Sequence, residues 1–153
     1  MACIGIILVS PKHHANVGGI ARSMTAFGFE HLIIVAPNPA CHMKKAAHIS
    51  EQGKTVIERC QFVPCLSALT GSKVATISAF DNRNYAKKLT KIHDFKEDMP
   101  FYLVMGREGS GLTDDELSAC DECITIPTNG KYGVLNLCSA TTICLYEFTR
   151  RRV

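Results

Sequence analysis

Five short, largely unbroken apolar runs set the fold class of this chain. They cover residues 4–9, 31–35, 74–79, 101–105 and 123–126, and Ser10-Pro11, Pro37, Gly106 and Pro127 punctuate four of them. A strand wetted on one face alternates apolar with polar residues, whereas a strand covered on both faces stays apolar throughout. Stretches with helical character lie between the runs. Residues 16–27 stop at Gly28, with Asn16 placed to cap them; 44–60 are interrupted at Gly53; 64–69 form a short one. The last, 135–150, carries an apolar stripe through Leu137, Thr141, Cys144, Leu145 and Phe148. Strands alternating with helices predict an α/β fold, a parallel sheet flanked by helices, in one domain spanning residues 1–153. No repeat or linker divides it. Ligands of such sheets sit beyond the carboxyl ends of the strands, here the loops 10–16, 77–83, 106–112 and 127–135. Residues 81–99 are the most polar stretch, hold a lysine cluster and read as a mobile segment facing the substrate.

One of those loops holds three glycines in six residues, within Met105-Gly106-Arg107-Glu108-Gly109-Ser110-Gly111-Leu112. Thr113 and Glu116 then supply a capping box for a following helix. Strand, glycine loop and helix let backbone amides approach a ligand with no Cβ in the way. Gly106 and Gly111 have P-loop spacing, but Leu112 stands where the phosphate-binding lysine belongs, which disfavours a triphosphate. The dinucleotide order G-x-G-x-x-G is reversed here, and Glu108 and Leu112 replace the glycines of a nucleophile elbow around Ser110. A tight structural turn and a ligand loop both remain open from this segment alone.

Charge and cysteine content exclude more than they assign. A net charge of +3 is too small to establish a nucleic-acid partner, and the clusters Lys44-Lys45, Lys87-Lys88 with Lys91, and Arg150-Arg151-Arg152 are ordinary solvated faces. The apolar start is far too short to span a bilayer, so a cytoplasmic protein without a membrane partner is expected. Eight cysteines scattered through apolar segments read as reduced core thiols. Cys120-x-x-Cys123 has no second pair of like spacing, so no metal site is expected.

Three segments taken together carry a resemblance. Asn16-Val17-Gly18-Gly19-Ile20-Ala21-Arg22, the glycine loop 106–112, and Ile126-Pro127 followed by Leu135-Asn136-Leu137 occur in order, each at a strand end. They resemble the SPOUT class of RNA methyltransferases in its TrmH-like (SpoU) branch. Thr128, Asn129, Tyr132 and Leu145-Tyr146-Glu147 look most like the TrmJ-type tRNA ribose 2′-O-methyltransferases. The resemblance implies S-adenosylmethionine as methyl donor, RNA as substrate (tRNA ahead of rRNA), a homodimer whose site draws on both subunits, and a C-terminal deep trefoil knot. It also implies a cofactor pocket built from Ile77, Ser78, Ala79, Met105, Gly106, Ile126, Pro127, Gly133, Val134, Leu135 and Asn136.

The implied reaction is attack of a ribose 2′-hydroxyl on a sulfonium methyl, with Arg22, Asn16 and Glu108 as the catalytic set. A guanidinium does not deprotonate in proteins, so Arg22 is expected to clamp a phosphate and orient the hydroxyl rather than act as a base. Two roles are open to Asn16, helix cap or ribose contact. Three are open to Glu108: acceptor for Asn16, acceptor for Arg22, or solvated partner of Arg107. Asn136 is placed to cap the final helix while facing the cofactor. Nothing in the sequence fixes the geometry of His13 and His14, which stay outside the catalytic set. Val134 stands where related enzymes carry serine, which motivates an alternative: a knotted RNA- and cofactor-binding protein with little or no methyl transfer. A nucleotide-binding enzyme of another kind is a remote third reading.

Overall fold

The computed structural model describes residues 2–81 and 89–153. Among them seven strands form one parallel sheet: β1 (Cys3–Val9), β2 (His31–Val35), β3 (Gln61–Val63), β4 (Ser72–Ile77), β5 (Leu89–Lys91), β6 (Phe101–Gly106) and β7 (Glu122–Thr125). They lie side by side in the order β3-β2-β1-β6-β4-β7-β5. The helices are α1 (His14–Phe27), α2 (Met43–Ile49), α3 (Lys54–Glu58), α4 (Asp114–Ser118) and α5 (Leu137–Arg150). The pleat of β1 explains its unbroken apolar run. Ile6 and Leu8 join one core with Val17, Ile20 and Met24 of α1 and Leu145 and Phe148 of α5. Ile7 and Val9 face a second core with Leu112, Leu117 and Cys123.

Several boundaries differ from the sequence reading, each for a local reason. The 44–60 segment breaks into α2 and α3 because Gly53 turns the chain and donates its N–H to both the carbonyl (3.2 Å) and hydroxyl (3.1 Å) of Ser50. Residues 64–69 make only a 3-10 turn, Leu66–Ala68. β4 begins and ends two residues earlier than expected, which leaves Ser78 and Ala79 in the loop beyond it. β3 and β5 were not foreseen, because a three-residue edge strand carries no apolar run. The expected mobile segment 81–99 lies partly outside the described residues. Its described remainder contains β5 and a 3-10 turn, and buries Ile92 and Phe95, so that part belongs to the core.

The first and last helices lie against each other, and this places the site. A Cβ on Gly19 would stand 2.7 Å from the Cys138 sulfur, so glycine lets the helices approach with the Cys138 side chain where it is. Ser23 and Thr142 share a hydroxyl hydrogen bond of 2.8 Å one turn further along. Phe27 and Tyr146 meet edge to face at 6.3 Å beyond that. Phe148 anchors α5 in the core against Phe101 (5.5 Å between ring centroids) and Phe95 (6.4 Å), in the edge-to-face geometry that aromatic rings favour. Among the described residues no helix is long and apolar enough to cross a membrane. The cysteines are free thiols, with Cys120 and Cys123 buried in the second core.

Candidate active site

A cleft of about 740 Å³ opens beyond the carboxyl ends of β1, β4, β6 and β7. That volume falls within the ~300–1,000 Å³ typical of small-molecule sites. Four of the anticipated loops build it. Lys12 and His13 follow β1; Ile77, Ser78, Ala79, Phe80 and Asp81 end and follow β4; residues 105–112 end and follow β6; Ile126 and residues 132–137 follow β7.

The glycine loop is shaped by backbone conformation rather than by composition alone. Gly106, Gly109 and Gly111 all have positive φ, at 124°, 81° and 74°. A side chain in that region is strained, and a Cβ on Gly106 would in addition meet the Val9 carbonyl at 2.7 Å. At the far end of the loop the capping box forms as expected. Glu116 accepts from the Thr113 N–H (2.8 Å), and its own N–H donates to the Thr113 hydroxyl (3.2 Å). The same carboxylate takes a two-pronged bond from Arg107 (3.0 and 2.9 Å), tying the loop to α4.

Glu108 therefore has partners other than Arg107. Its oxygens accept from the Asn16 amide (3.0 Å) and from the His13 backbone N–H (3.3 and 3.2 Å), and Oε2 also meets the His13 ring at Nδ1. Burial works to raise this carboxyl, but the bonds from Asn16 and His13 outweigh it and hold the group below its ordinary 4.5. The Asn16 amide is oriented in turn by Asn136. The Asn136 carbonyl oxygen caps α5 by accepting from the N–H groups of Cys138 (2.9 Å) and Ser139 (3.2 Å). Its NH₂ must then donate, and it does so to the Asn16 carbonyl oxygen at 3.1 Å. A one-way relay runs from the start of α5 through Asn136 and Asn16 to Glu108, joining residues 120 and 92 positions apart.

The anticipated pocket residues Ile77, Ser78, Ala79, Met105, Gly106, Ile126, Gly133, Val134, Leu135 and Asn136 line the cleft, as do Asn16 and Glu108. Two do not. Pro127 is exposed and off the wall, and Arg22 is exposed six residues along α1 from Asn16, also off the wall. Among the described residues the Arg22 side chain has no hydrogen bond or ion pair, and the Glu108 oxygens go to Asn16 and His13 instead, so Glu108 is not its acceptor. The Asn16 cap is also corrected: α1 begins at His14, the capping position is His13 with no side-chain cap, and the Asn16 amide is committed to Glu108. Lys12, His13, Phe80, Asp81 and Tyr132 also line the wall; the sequence pointed to their loops without naming them among the pocket residues. For His13 a signal existed, its position three residues before Asn16, but its contact with Glu108 spans 95 positions.

The donor set suits a cofactor with apolar and polar parts. Ile77, Met105, Ile126 and Leu135 supply apolar wall, and a Cβ on Gly109 would meet only open space. The Thr128 hydroxyl oxygen, close behind the wall residue Gly133, is buried with no partner among the described residues. No group of three metal-ligating side chains converges among the described residues.

Comparison with known proteins places the chain among methylases. The profile of the SpoU rRNA methylase family matches residues 4–146. The tRNA (cytidine-2′-O-)-methyltransferase TrmJ of Methanocaldococcus jannaschii is 30% identical over 159 residues, covering 98% of this chain and 69% of that protein. The tRNA (cytidine/uridine/adenosine-2′-O-)-methyltransferase TrmJ of Pseudomonas aeruginosa is 31% identical over 94% of this chain, which spans only 59% of its length. Among solved structures, TrmJ from Z. mobilis superposes with a TM-score of 0.80 at 26% identity, over 97% of this chain and 70% of that one.

Proposed function

We propose a function that starts from descent: the chain belongs to the SpoU rRNA methylase family, and its cleft transfers a methyl group from S-adenosylmethionine to a ribose 2′-hydroxyl of tRNA. The observation that carries this reading is the Asn136–Asn16–Glu108 relay, which draws the three sequence motifs to one edge of one cleft. The bound cofactor supplies an electrophilic methyl on a sulfonium centre. Glu108 leaves its negative charge uncancelled beside that centre because its donors among the described residues are neutral amides and a ring, not a guanidinium or ammonium. Ile77, Met105, Ile126 and Leu135 exclude water from the cofactor, and the loop backbones at 77–79, 105–106 and 126–135 offer donors and acceptors to its adenine.

Arg22 clamps a phosphate next to the target ribose and orients the hydroxyl. It stands off the wall of its own cleft, so it reaches the substrate across a homodimer in which each site draws on both subunits. Exposed Ile143 and Tyr146 on α5 supply apolar surface for that interface. The C-terminal trefoil knot belongs to the same proposal. β7 enters the sheet between β4 and β5, and β6 between β1 and β4, so the last strands are interleaved with earlier ones ahead of α5. The enzyme works in the cytoplasm.

The test is incubation of purified protein with labelled S-adenosylmethionine and total tRNA, followed by nucleoside analysis for 2′-O-methyl nucleosides. Cofactor binding by calorimetry without any ribose methylation would transfer the conclusion to the binding-only reading, which rests on Val134, an exposed wall residue without a hydroxyl. Mixing Arg22→Ala with Glu108→Ala protein tests the shared site. Restored transfer in the mixture is expected, because one of the two sites in a mixed dimer keeps both residues.

A further inference from the structure

We infer that His13 is the general base of the methyl transfer, an assignment that rests on the methyltransferase reading above. The 2′-hydroxyl must lose a proton as its oxygen bonds to the methyl carbon, and no residue of the three motifs is suited to take it. Arg22 carries no free acceptor. Glu108 has both oxygens occupied, Oε1 by Asn16 and the His13 N–H and Oε2 by the His13 N–H and ring, and those bonds hold its proton affinity below that of an ordinary carboxyl.

The same contacts prepare the imidazole. Because Glu108 stays ionised it only accepts, so the His13 Nδ1 carries the hydrogen, and in the neutral ring it is Nε2 that bears the free lone pair. Glu108 holds the ring in that tautomer and stabilises the imidazolium formed on proton uptake, the role a buried carboxylate plays behind a catalytic histidine. Glu108 is sunk into the loop with its side chain 9% exposed, while the His13 side chain is 66% exposed on the cleft wall. The carboxylate is thus covered and the ring is presented. In the step, the hydroxyl oxygen bonds to the methyl carbon, the carbon–sulfur bond breaks with its electron pair going to sulfur, and the hydroxyl proton passes to Nε2. The products are the 2′-O-methyl ribose, the neutral thioether and an imidazolium that returns its proton to solvent.

Among the described residues, the charged and titratable groups nearest the ring are Glu108 from the glycine loop and Lys12 and His14 from its own segment, with the Cys41 thiol, ahead of α2, close enough to feel the Glu108 charge. His42, ahead of α2, reaches His14 rather than His13, with ring centroids 6.3 Å apart.

The test uses the full chain under single-turnover conditions at saturating S-adenosylmethionine and tRNA. His13→Gln is expected to slow transfer about 100-fold, the scale of a lost general base, with dissociation constants for cofactor and tRNA unchanged. The wild-type rate is expected to rise with pH and then level, and the levelling is expected to vanish in the variant. Added imidazole should restore part of the rate in His13→Gly, whereas His14→Gln should match the wild type. A wild-type rate for His13→Gln at saturation, or weaker tRNA binding as its sole defect, overturns the assignment and leaves the methyltransferase reading intact. A wild-type protein that binds cofactor and methylates nothing overturns both.

Discussion

Glu108 and Glu147 make an instructive pair. Both side chains are nearly covered, 9% and 12% exposed, and both carboxyls are held below the ordinary 4.5. Their partners differ in kind. Glu147, near the end of α5, is gripped by two guanidinium groups, Arg150 at 2.6 and 2.8 Å and Arg151 at 3.1 and 3.2 Å. Arg151 then donates to the Phe95 carbonyl at 2.7 Å and to that of Ile92, and pairs with Glu97. Charge is answered by charge and the cluster is closed. Glu108 is lowered instead by neutral donors and one ring, which stabilise the anion without cancelling it. Arg107, next to it in the chain, is committed to Glu116, and Arg22 is committed to nothing among the described residues. The C-terminal cluster holds the fold together; at the cleft the Glu108 anion keeps its charge without a guanidinium partner, and the Arg22 cation stands exposed outside the cleft wall.

The largest expected effect breaks the closed cluster. Arg151→Met leaves two carbonyls and two carboxylates short of a donor and should cost about 3 kcal/mol of stability, read from urea unfolding. Transfer per folded molecule at low temperature should be unchanged. A loss of turnover in fully folded Arg151→Met would erase the distinction between the two regions.

Next comes the open side. Arg22→Lys keeps the charge and loses the planar fork, so transfer should fall about 100-fold, as when a preorganised electrostatic contact is removed. Its unfolding free energy should move by less than ~0.5 kcal/mol, the usual range of a surface change. Wild-type turnover in Arg22→Lys would remove Arg22 from the chemistry.

How far such contrasts are legible in a sequence depends on range. The strands β1, β2, β4, β6 and β7 announced themselves because double-sided burial leaves an unbroken apolar run. β3, with Gln61 and Phe62 exposed, left no such trace. The Thr113–Glu116 cap was readable because its partners are three residues apart. The Glu108 partners were legible only in part: the matched motifs offered Asn16 as one of three possible partners, and the structure selects it, but nothing paired Glu108 with His13, which lies 95 residues away. Arg22 shows the converse: a motif identified the residue but not its placement, and it lies off the wall to which the motif points. Pro127 likewise follows a pocket residue in sequence without sharing its wall.

A smaller effect separates the two glutamates by pH. Each carboxyl is lowered in the folded state, so the stability it contributes is complete above its ordinary 4.5 and drains away as pH falls through the lowered value. Glu147→Gln should therefore be less stable than wild type at neutral pH, with the gap closing in acid as the wild type loses its own contribution. Glu108→Gln should show the same direction with a smaller gap at neutral pH, since no guanidinium is left unpaired. A gap that widens in acid for either variant would contradict the bonding described for it.

The smallest effect concerns a buried hydroxyl that has no partner among the described residues, that of Thr128; valine has nearly the same shape without the polar atom. In the absence of cofactor, Thr128→Val should raise stability by about 1 kcal/mol, because an unsatisfied buried polar group is removed. If S-adenosylmethionine satisfies that hydroxyl, the variant should bind it about tenfold more weakly, the cost of one lost hydrogen bond in a dry site. Stability and affinity would then move in opposite directions at one residue, as expected where a site holds an unmet bond in reserve for its ligand. A variant that gains stability and binds the cofactor as tightly as wild type would make Thr128 a plain packing residue, and calorimetric titration of both proteins decides between the two.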